Sequence, residues 1–353
     1  MSRGVLARRL SVQRLAGAKM ATATDVVRLL TCVQSQEWAH GFWSLGMRTT
    51  GCTYADVQAE FDAGSFVRTH VLRPTWHYLA AEDLAWVQTL TAPRVQQQNR
   101  SQGRNLGLSA DDLDLGLELI RSALVGGRQL TRRALSDVLV DGGISTEGQR
   151  LAYLVMNAEL EGVICSGVLR GAQHTYALVS ERIPPTPTRS REDALCELTW
   201  RFFSGHGPAS VADFTRWCSL TRTDARAGLE LVGDRLARVE HDGHELWFDP
   251  AGPEPAEQQG ALLVPLYDEV TLTYPRINFP IAASHPHPPG SDLFVGSVLV
   301  DLVNVGTWRR TVRGSRVRVE TALADGLGDD QRAAVAEEVL VLAAFLGREL
   351  ERS

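Results

Sequence analysis

One order of predicted elements occurs twice along the chain and limits the folds that the chain can adopt. Within residues 111–182, three stretches carry apolar residues at helical spacing, and Thr131 and Ser145 stand in N-cap positions before the second and third. The stretch "CSGVLRGAQHTYALV" follows, with a short strand, a glycine turn and an alternating strand. This segment therefore predicts three helices and then a β-hairpin.

The second copy of this order lies at residues 190–249. Three helical stretches come first, and Ser210 is the predicted cap of the second one. The stretch "LARVEHDGHELWF" ends the copy, and its Asp-Gly pair is a strong signal for a tight hairpin turn. The proline-rich residues 183–189, "IPPTPTR", predict a linker between the two copies.

The N-terminal region predicts a third and less regular copy. It contains the helical stretch "ATATDVVRLLTCV", a helix capped by Thr53, and the alternating stretch "SFVRTHVLRPTWHYLA". After residue 250 the pattern changes to the strand-like "ALLVPLYDEVTLTYP", then to further alternating strands and a closing amphipathic helix. Three helices followed by a hairpin is the order of a winged helix.

We therefore expect an α+β fold with three tandem winged-helix units and a β-rich C-terminal region that ends in a helix. The expected domains are residues 1–110, 111–185, 186–250 and 251–353. A winged helix places its third helix in the DNA major groove, so this architecture favours a nucleic-acid surface. Tandem winged helices also serve as protein–protein scaffolds, and that alternative stays open.

Composition describes an ordinary globular chain. Of its 353 residues 44% are hydrophobic and 22% are charged, and no run of 18 uncharged apolar residues occurs. The N-terminus lacks the apolar core of a secretory signal, so we expect a cytoplasmic protein without a membrane contact. Five widely spaced cysteines without a C-x-x-C pair predict reduced thiols and no zinc site.

The net charge of −6 does not exclude DNA binding, because only a local basic surface is needed. Nearly every cation is an arginine, and Lys19 is the only lysine. Residues 84–110 and 302–319 contain no acid, and the planar guanidinium group suits phosphate. The candidate phosphate contacts in these windows are Arg94, Arg100, Arg104, Arg309, Arg310, Arg313, Arg316 and Arg318.

Several kinds of catalytic site are not indicated. The chain has no Walker loop, no Gly-x-Gly-x-x-Gly after a strand and no H-E-x-x-H. His285 and His287 lie in "HPHPPG", which predicts a proline-stiffened loop rather than a metal site. Asp268 and Glu269 are adjacent on a predicted strand and so point to opposite faces. A salt bridge or a turn is the favoured role of these two acids.

The stretch "CVQSQEW" holds Gln34 and Gln36 at the end of a predicted core helix. On a helix, residues i and i+2 diverge by about 200°, whereas on an extended segment they share a face. If the two amides act together, the helix must break near Val33. Together they can hold a water molecule or a base edge, but they cannot act as a general base at neutral pH.

Such a pair suits a reaction whose leaving group already carries a positive charge. In an N7-alkylated purine the cationic base weakens its own glycosidic bond, so the leaving group needs no protonation. What remains is to position water near C1′ and to favour the oxocarbenium-like transition state. This is a physical argument for the candidate site, and a bare Gln-x-Gln is elsewhere most often a solvated or capping pair.

Five stretches together resemble the winged-helix DNA glycosylases of the AlkZ/YcaQ-like family, over nearly the full length of the chain. They are "VQSQEWAHGFWSLGMRT", "VRTHVLRPTWHYLAAEDL", "NAELEGVICSGVLRGAQHTYALVSER", "LLVPLYDEV" and "VNVGTWRR". The resemblance implies a concave DNA-binding surface built from tandem winged helices. It also implies removal of bulky N7-alkylguanine adducts and, in some members, unhooking of interstrand crosslinks made by genotoxic natural products, for self-resistance.

The family's catalytic Gln-x-Gln motif falls on Gln34 and Gln36, with Ser35 where an apolar residue is common. The resemblance implies a monofunctional glycosylase that uses water, without a Schiff-base lysine, cofactor or metal. Trp38, Phe42 and Trp43 follow the motif, and their spacing favours a core role over stacking on a lesion. Arg73 and His77, in the family-like hairpin, line a cleft near the glutamines or form a structural hydrogen bond.

The sequence thus favours a DNA glycosylase that acts on N7-alkylguanine in double-stranded DNA, with a monomer as the expected state. The alternative is a non-catalytic winged-helix transcriptional regulator, which would bind an operator and release no base. The sequence does not name the adduct, and it does not distinguish general repair from self-resistance.

Overall fold

The computed structural model describes residues 3–275, 278–286 and 294–351. The helices that it contains there are α1 (Arg3–Val12), α2 (Ala23–Leu30), α3 (Trp38–Gly46), α4 (Tyr54–Ala63), α5 (Leu84–Asn105), α6 (Ala110–Leu124), α7 (Arg132–Asp141), α8 (Arg150–Leu160), α9 (Val179–Arg182), α10 (Arg191–His206), α11 (Val211–Cys218), α12 (Arg222–Val232), α13 (Glu269–Leu272) and α14 (Asp329–Phe345). The strands are β1 (Cys32–Gln34), β2 (Phe66–Val71), β3 (Arg73–Ala80), β4 (Leu130–Thr131), β5 (Ile164–Ser166), β6 (Thr175–Leu178), β7 (Ala237–His241), β8 (His244–Phe248), β9 (Ala261–Val264), β10 (Gly296–Val300), β11 (Val303–Arg313), β12 (Arg316–Leu323) and β13 (Glu349–Leu350).

The chain divides into two compact units, each built from separate stretches of sequence. Unit 1 comprises Met1–Val57, Arg201–Asp213 and Asp234–Ser353. Unit 2 comprises Gln58–Trp200 and Phe214–Gly233. The contiguous domains expected from the sequence do not follow these divisions, and their boundaries stay a prediction.

Unit 1 is built on a five-stranded sheet in the order β13-β12-β11-β10-β9. All neighbours in it are antiparallel except β12 and β13. The alternating pattern of the C-terminal region had predicted two or three of these strands, and the closing helix α14 lies against β9. Buried side chains of the sheet, among them Leu263, Val298 and Trp308, form part of the core of this unit.

Unit 2 combines the hairpin of β2 and β3 with helices α5 to α8 and a small sheet in the order β4-β6-β5. A single cluster that includes Ile120, Leu135, Leu154 and Tyr176 fills the space between α6, α7, α8 and this sheet. The predicted order of three helices followed by a hairpin is therefore present between α6 and β6. In the second copy, α10, α11, α12, β7 and β8 also occur in the predicted order.

Local capping signals were good predictors of helix starts, with one exception. The side chains of Thr53, Thr131 and Ser210 accept hydrogen bonds from Asp56, Ala134 and Asp213, respectively, as predicted. The prediction for Ser145 is wrong, because α8 begins only at Arg150. The Arg150 guanidinium donates to the carbonyl groups of Ser145 and Leu106 at 2.9 and 2.7 Å, and these contacts hold the intervening residues in turns.

One strand prediction is confirmed in full, and a second one is confirmed only in part. The Asp-Gly turn joins β7 and β8 with a positive φ at both Asp242 (49°) and Gly243 (71°), as a type I′ turn requires. The strand-like stretch after residue 260 is only half correct. It forms β9 and then leaves the sheet at Pro265, which has no N–H to donate, before the short helix α13.

The described residues include no helix that is long and apolar enough to cross a membrane. None of the five cysteines forms a disulfide, and Cys32, Cys165 and Cys218 are buried. Burial raises the pKa of the Cys165 and Cys218 thiols to about 12, so these two side chains stay protonated and inert.

Candidate active site around the Gln-x-Gln segment

The backbone leaves the helical conformation before it reaches the two glutamines. Helix α2 ends at Leu30, and Thr31 adopts a φ of +66°, which is rare for a β-branched residue. The chain then enters β1, whose last residue is Gln34, and Gln36 lies in the bend before α3. The predicted break of the helix is confirmed, and it comes at Thr31 rather than at Val33.

Burial alternates along the segment. Ser35 is fully buried, whereas Gln34 is 8% exposed and Gln36 is half-buried. The serine therefore takes the place of an inward-facing apolar side chain, and the two glutamines are the more accessible positions around it. This pattern is typical of extended backbone, on which alternate residues share a face.

The backbone of Gln34 is held by a buried carboxylate. Its N–H donates to Oε1 of Glu269 at 2.9 Å, and Glu269 has no exposed surface. The other carboxylate oxygen accepts from Oγ1 of Thr273 at 3.1 Å and lies 3.6 Å from Nε2 of His206. Glu269 thus fixes the position of the Gln-x-Gln segment through its backbone.

Asp268 has a different set of partners from its neighbour. It caps α13, and its carboxylate receives two hydrogen bonds from the Arg48 guanidinium at 2.7 and 2.8 Å. Oγ of Ser44 donates to the same carboxylate at 2.6 Å. The predicted roles of this acidic pair, a salt bridge and a turn, are confirmed for Asp268. The hydrogen bond from Ser44 also joins α3, which starts two residues after Gln36, to the start of α13.

Aromatic residues cover the first turns of α3. Phe42 and Trp43 are buried, as their spacing predicts, and Nε1 of Trp43 donates to the carbonyl of Leu263 at 2.7 Å. Trp38 is half-buried and meets the ring of Phe42 edge-on at 5.6 Å. Trp38 is therefore the member of this group that has surface available for a ligand.

His40 is a neutral, stacked side chain beside the segment. Burial, with a smaller effect from Arg310, lowers the pKa of His40 to about 4. Its Nδ1 accepts from the backbone N–H of Leu266 at 3.2 Å, and its ring stacks on Trp308 at 5.6 Å. The imidazole therefore has no proton to give at neutral pH from the nitrogen that faces Leu266.

The arginines of β11 and β12 differ in whether their guanidinium groups already bind other groups of the protein. Arg309 pairs with Glu320 at 3.0 Å, and Arg310 donates to the carbonyl of Ala39 at 2.8 Å. Burial lowers the pKa of Arg310 to about 10. Arg313 and Arg316 are exposed at the turn of the hairpin, and the nearest carboxylate oxygen to Arg316 is that of Glu349 at 4.0 Å.

In unit 2, Arg73 and His77 form a pair on β3. The Arg73 guanidinium donates to Nε2 of His77 at 3.2 Å, and Nδ1 of His77 donates to the carbonyl of Thr75 at 3.0 Å. An arginine can only donate and a carbonyl can only accept, so this bonding pattern requires neutral imidazole with its proton on Nδ1. The predicted structural hydrogen bond is therefore present.

The other predicted arginines of unit 2 lie along α5. Arg94 donates to Oε1 of Gln97 at 2.9 Å, while Arg100 and Arg104 are exposed and one helical turn apart. The helix packs closely on α8, since a Cβ at Gly103 would lie 2.8 Å from the hydroxyl of Tyr153. Arg100 and Arg104 therefore share one side of a firmly held helix.

Within residues 3–275, 278–286 and 294–351, no group of three or more His, Cys, Asp or Glu side chains is placed to hold an ion. His285 contacts Oδ1 of Asn304 at 3.1 Å, and His287 lies outside the described residues.

Comparison with known families identifies the chain. Residues 27–345, which include the Gln-x-Gln segment and both units, match the model of the family "DNA glycosylase AlkZ-like". The chain belongs to the AlkZ-like family of DNA glycosylases. It is accordingly an enzyme that hydrolyses N-glycosidic bonds in DNA.

Two AlkZ-like relatives come from Streptomyces sahachiroi. An interstrand DNA cross-link repair glycosylase from this organism is 26% identical over 253 residues, which cover 69% of this chain and 68% of that protein. The solved structure of the DNA glycosylase AlkZ matches with a TM-score of 0.74 at 22% identity, over 99% of this chain and 98% of that one. The structural match shows a shared mixed fold of helices and sheets.

Two residues beside the Gln-x-Gln segment are not predicted by the sequence. Glu269 appears there only as half of an acidic pair, and its contact with Gln34 joins positions 235 residues apart. His40 lies four residues after Gln36, and no motif marks it. The one signal for Glu269 was that two adjacent acids on a predicted strand require two different partners.

Proposed function

We propose that this AlkZ-like glycosylase hydrolyses the N-glycosidic bond of N7-alkylguanine in double-stranded DNA, including bulky adducts and interstrand crosslinks. The observation that carries the proposal is the non-helical Gln-x-Gln segment, in which the backbone N–H of Gln34 donates to Glu269 at 2.9 Å. The extension to crosslinks is supported by the relative that is named an interstrand DNA cross-link repair glycosylase.

The proposed reaction needs no proton donor. The C1′–N9 bond breaks, its electron pair returns to the cationic imidazolium ring, and neutral N7-alkylguanine leaves. The oxygen of one water molecule bonds to C1′, and the proton that this water loses passes to solvent. Gln34 and Gln36 orient the water and present their carbonyl dipoles to the oxocarbenium-like transition state.

In this proposal Glu269 is a positioning residue. It is fully buried, and it bonds to the backbone of Gln34 and to the hydroxyl of Thr273. It therefore acts on the reaction through the placement of the glutamine pair. A site held in this way by buried contacts is preorganised, which reduces the cost of aligning the water.

The proposed DNA surface is made of the exposed arginines and the half-buried Trp38. Arg309 and Arg310 already have protein partners, Glu320 and the carbonyl of Ala39. We therefore assign the phosphate contacts of this hairpin to Arg313 and Arg316, and those of α5 to Arg100 and Arg104. DNA contacts of Arg73 and His77 in unit 2, the three winged-helix units and a monomeric state belong to the same proposal.

Membership of a glycosylase family disfavours the alternative of a non-catalytic transcriptional regulator. A regulator would bind one operator sequence and release no base. The proposed enzyme instead recognises a chemical change that occurs at any guanine, so it binds plain duplex with little dependence on sequence.

The test of the proposal is a panel of duplexes that differ in one base, which is cationic in one duplex and neutral in the others. A duplex with a single N7-methylguanine is compared with duplexes that carry 8-oxoguanine or uracil at the same position. We expect base release from the cationic N7-methylguanine only, because two amides cannot protonate a neutral leaving group. Release of the neutral bases at a comparable rate would contradict the mechanism, and release of none of the three would contradict the assigned lesion class.

A further inference from the structure

Two glycine-containing loops of unit 2 border an open depression of about 460 Å³. In the sequence these loops are separate from α5 and from the β11–β12 hairpin, which carry the arginines assigned to DNA above. One loop joins α6 to β4 and contributes Gly127 and Arg128, and the other joins β5 to β6 and contributes Arg170. Both arginines are exposed, and they line the same depression.

Hydrogen bonds join the two loops to each other, so the backbone that carries the arginines is held in place. Oε1 of Gln129 accepts from the backbone N–H of Val168 at 2.7 Å and lies 3.2 Å from the hydroxyl of Thr175. The same hydroxyl donates to the carbonyl of Val168 at 2.6 Å. These contacts join the start of β4 to both ends of the second loop.

One of the loops already binds an anionic group from its own chain. The carboxylate of Glu181 accepts hydrogen bonds from the backbone N–H groups of Gly126 and Gly127 at 3.0 and 2.5 Å. Both glycines have positive φ, at 83° and 74°, so consecutive N–H groups converge on one oxygen-bearing ligand. These two hydrogen bonds lower the pKa of Glu181, which therefore remains an anion at neutral pH.

The carboxylates near the depression are engaged by backbone groups. Glu181 is held by the glycine pair, and Oδ1 of Asp62 accepts from the backbone N–H of Leu169 at 2.8 Å. Residues 162–180 contain no acid, and neither do residues 126–136, which carry Arg128, Arg132 and Arg133. Within their own sequences the two loops therefore carry arginines and no acid, in a chain whose net charge is −6.

We propose that this depression is a DNA-phosphate site of unit 2, in which the guanidinium groups of Arg128 and Arg170 hold one backbone phosphate. Guanidinium groups bind phosphate through charge-assisted hydrogen bonds, and the backbone N–H groups of the first loop serve instead to hold Glu181 in place. The inference rests on the activity on DNA that the family establishes, and it does not depend on the lesion. It adds a third region of DNA contact to the two arginine windows.

Arg170 is a better position for a test substitution than Arg128. Arg128 also donates to the carbonyl groups of Val125 and Ser122 at 3.1 and 2.8 Å, so its loss would loosen the end of α6. The Arg170 side chain is exposed, and within the described residues no hydrogen bond or ion pair involves its guanidinium group. The backbone of Arg170 pairs with Gln173 and keeps the turn after substitution.

The experiment measures the affinity for an undamaged duplex as a function of salt concentration for wild type, Arg170→Gln, Arg170→Lys and a control, Arg348→Gln. Arg348 is also exposed and belongs to unit 1. We expect Arg170→Gln to bind more weakly and to lose about 0.9 from the slope of log K against log salt, the share of one phosphate. Arg170→Lys keeps its charge and should keep the slope.

Two results would overturn the inference. One is an affinity and slope for Arg170→Gln equal to those of Arg348→Gln and wild type. The other is a loss in Arg170→Lys as large as that in Arg170→Gln, since a change of packing rather than of charge would then be responsible. Binding to undamaged DNA needs no excision, so the comparison holds whether or not N7-alkylguanine is the substrate.

Discussion

At the scale of single residues, two adjacent acids hold the candidate site in place through different contacts. Asp268 binds Arg48 and Ser44, and Glu269 binds the backbone of Gln34. The sequence could predict that the helix ends before the glutamine pair, because two amides at i and i+2 can act together only off a helix. It could not predict Glu269 as a partner, because nothing local at position 34 indicates which distant carboxylate its N–H will meet.

The buried ion pair between Arg48 and Asp268 gives a stability prediction. Both side chains have no exposed surface and lie 2.7 Å apart, so Arg48→Ala leaves a buried carboxylate without its cation. We expect the free energy of unfolding in urea to fall by about 3–5 kcal/mol. Arg309→Ala, which removes an exposed arginine from its pair with Glu320, is the control and should change the midpoint far less. Equal losses would refute the contrast.

At the scale of elements, the sequence predicts best where a signal is local. The caps at Thr131 and Ser210 and the Asp242-Gly243 turn each need only three or four neighbouring residues. Ser145 fails because the tertiary contacts of Arg150 displace the start of α8. The end of β9 is likewise set by Pro265, after which Asp268 starts α13. Competing contacts of this kind are not visible in a periodic pattern.

Helix α14 carries a carboxyl group whose titration should be visible in the stability of the protein. Burial raises the pKa of Glu338 to about 7, against the opposing effects of Lys19 and the Leu263 backbone N–H. In the unfolded chain this pKa is about 4.3, so the folded state binds the proton more tightly. The resulting stabilisation is complete below the unfolded pKa and is lost as the pH rises through 7.

Glu338→Gln tests this sign, because glutamine keeps the shape of the side chain without the charge. We expect the variant to melt at the same temperature as wild type at pH 4 and at a higher temperature than wild type at pH 8.5. The melting temperatures of both proteins are measured across this pH range. The difference between them at each pH removes the contribution of all other titrating groups. A difference that does not change with pH would contradict the raised pKa.

At the scale of the whole molecule, a chain of net charge −6 belongs to a family that acts on DNA, and we propose that arginines in its acid-free stretches contact the phosphates. The sequence predicted two of these stretches but not which arginines in them remain available. The guanidinium of Arg310 donates to the carbonyl of Ala39, which lies 271 residues earlier in the sequence. The two compact units were also beyond prediction, because unit 1 gathers three stretches of chain that only the tertiary structure brings together.

The arginines at the turn of the β11–β12 hairpin provide a prediction for DNA affinity. Arg313→Gln combined with Arg316→Gln should weaken binding to plain duplex, and the slope of log K against log salt should become less steep by about 1.8, or 0.9 for each phosphate. Titrations of a labelled duplex at several salt concentrations measure both quantities. The combined variant Arg3→Gln and Arg348→Gln removes the same charge elsewhere, and an equal effect of the two double variants would refute the assigned surface.

The central claim is that Gln34 and Gln36 together form the catalytic centre of this AlkZ-like glycosylase. It is tested most directly by the single-turnover release of N7-methylguanine from a duplex by the double variant Gln34→Ala and Gln36→Ala at saturating protein. Gln259→Ala, an exposed glutamine in a loop, is the control. We predict release no faster than spontaneous depurination, with duplex affinity and melting temperature unchanged, whereas release at the wild-type rate would contradict the account.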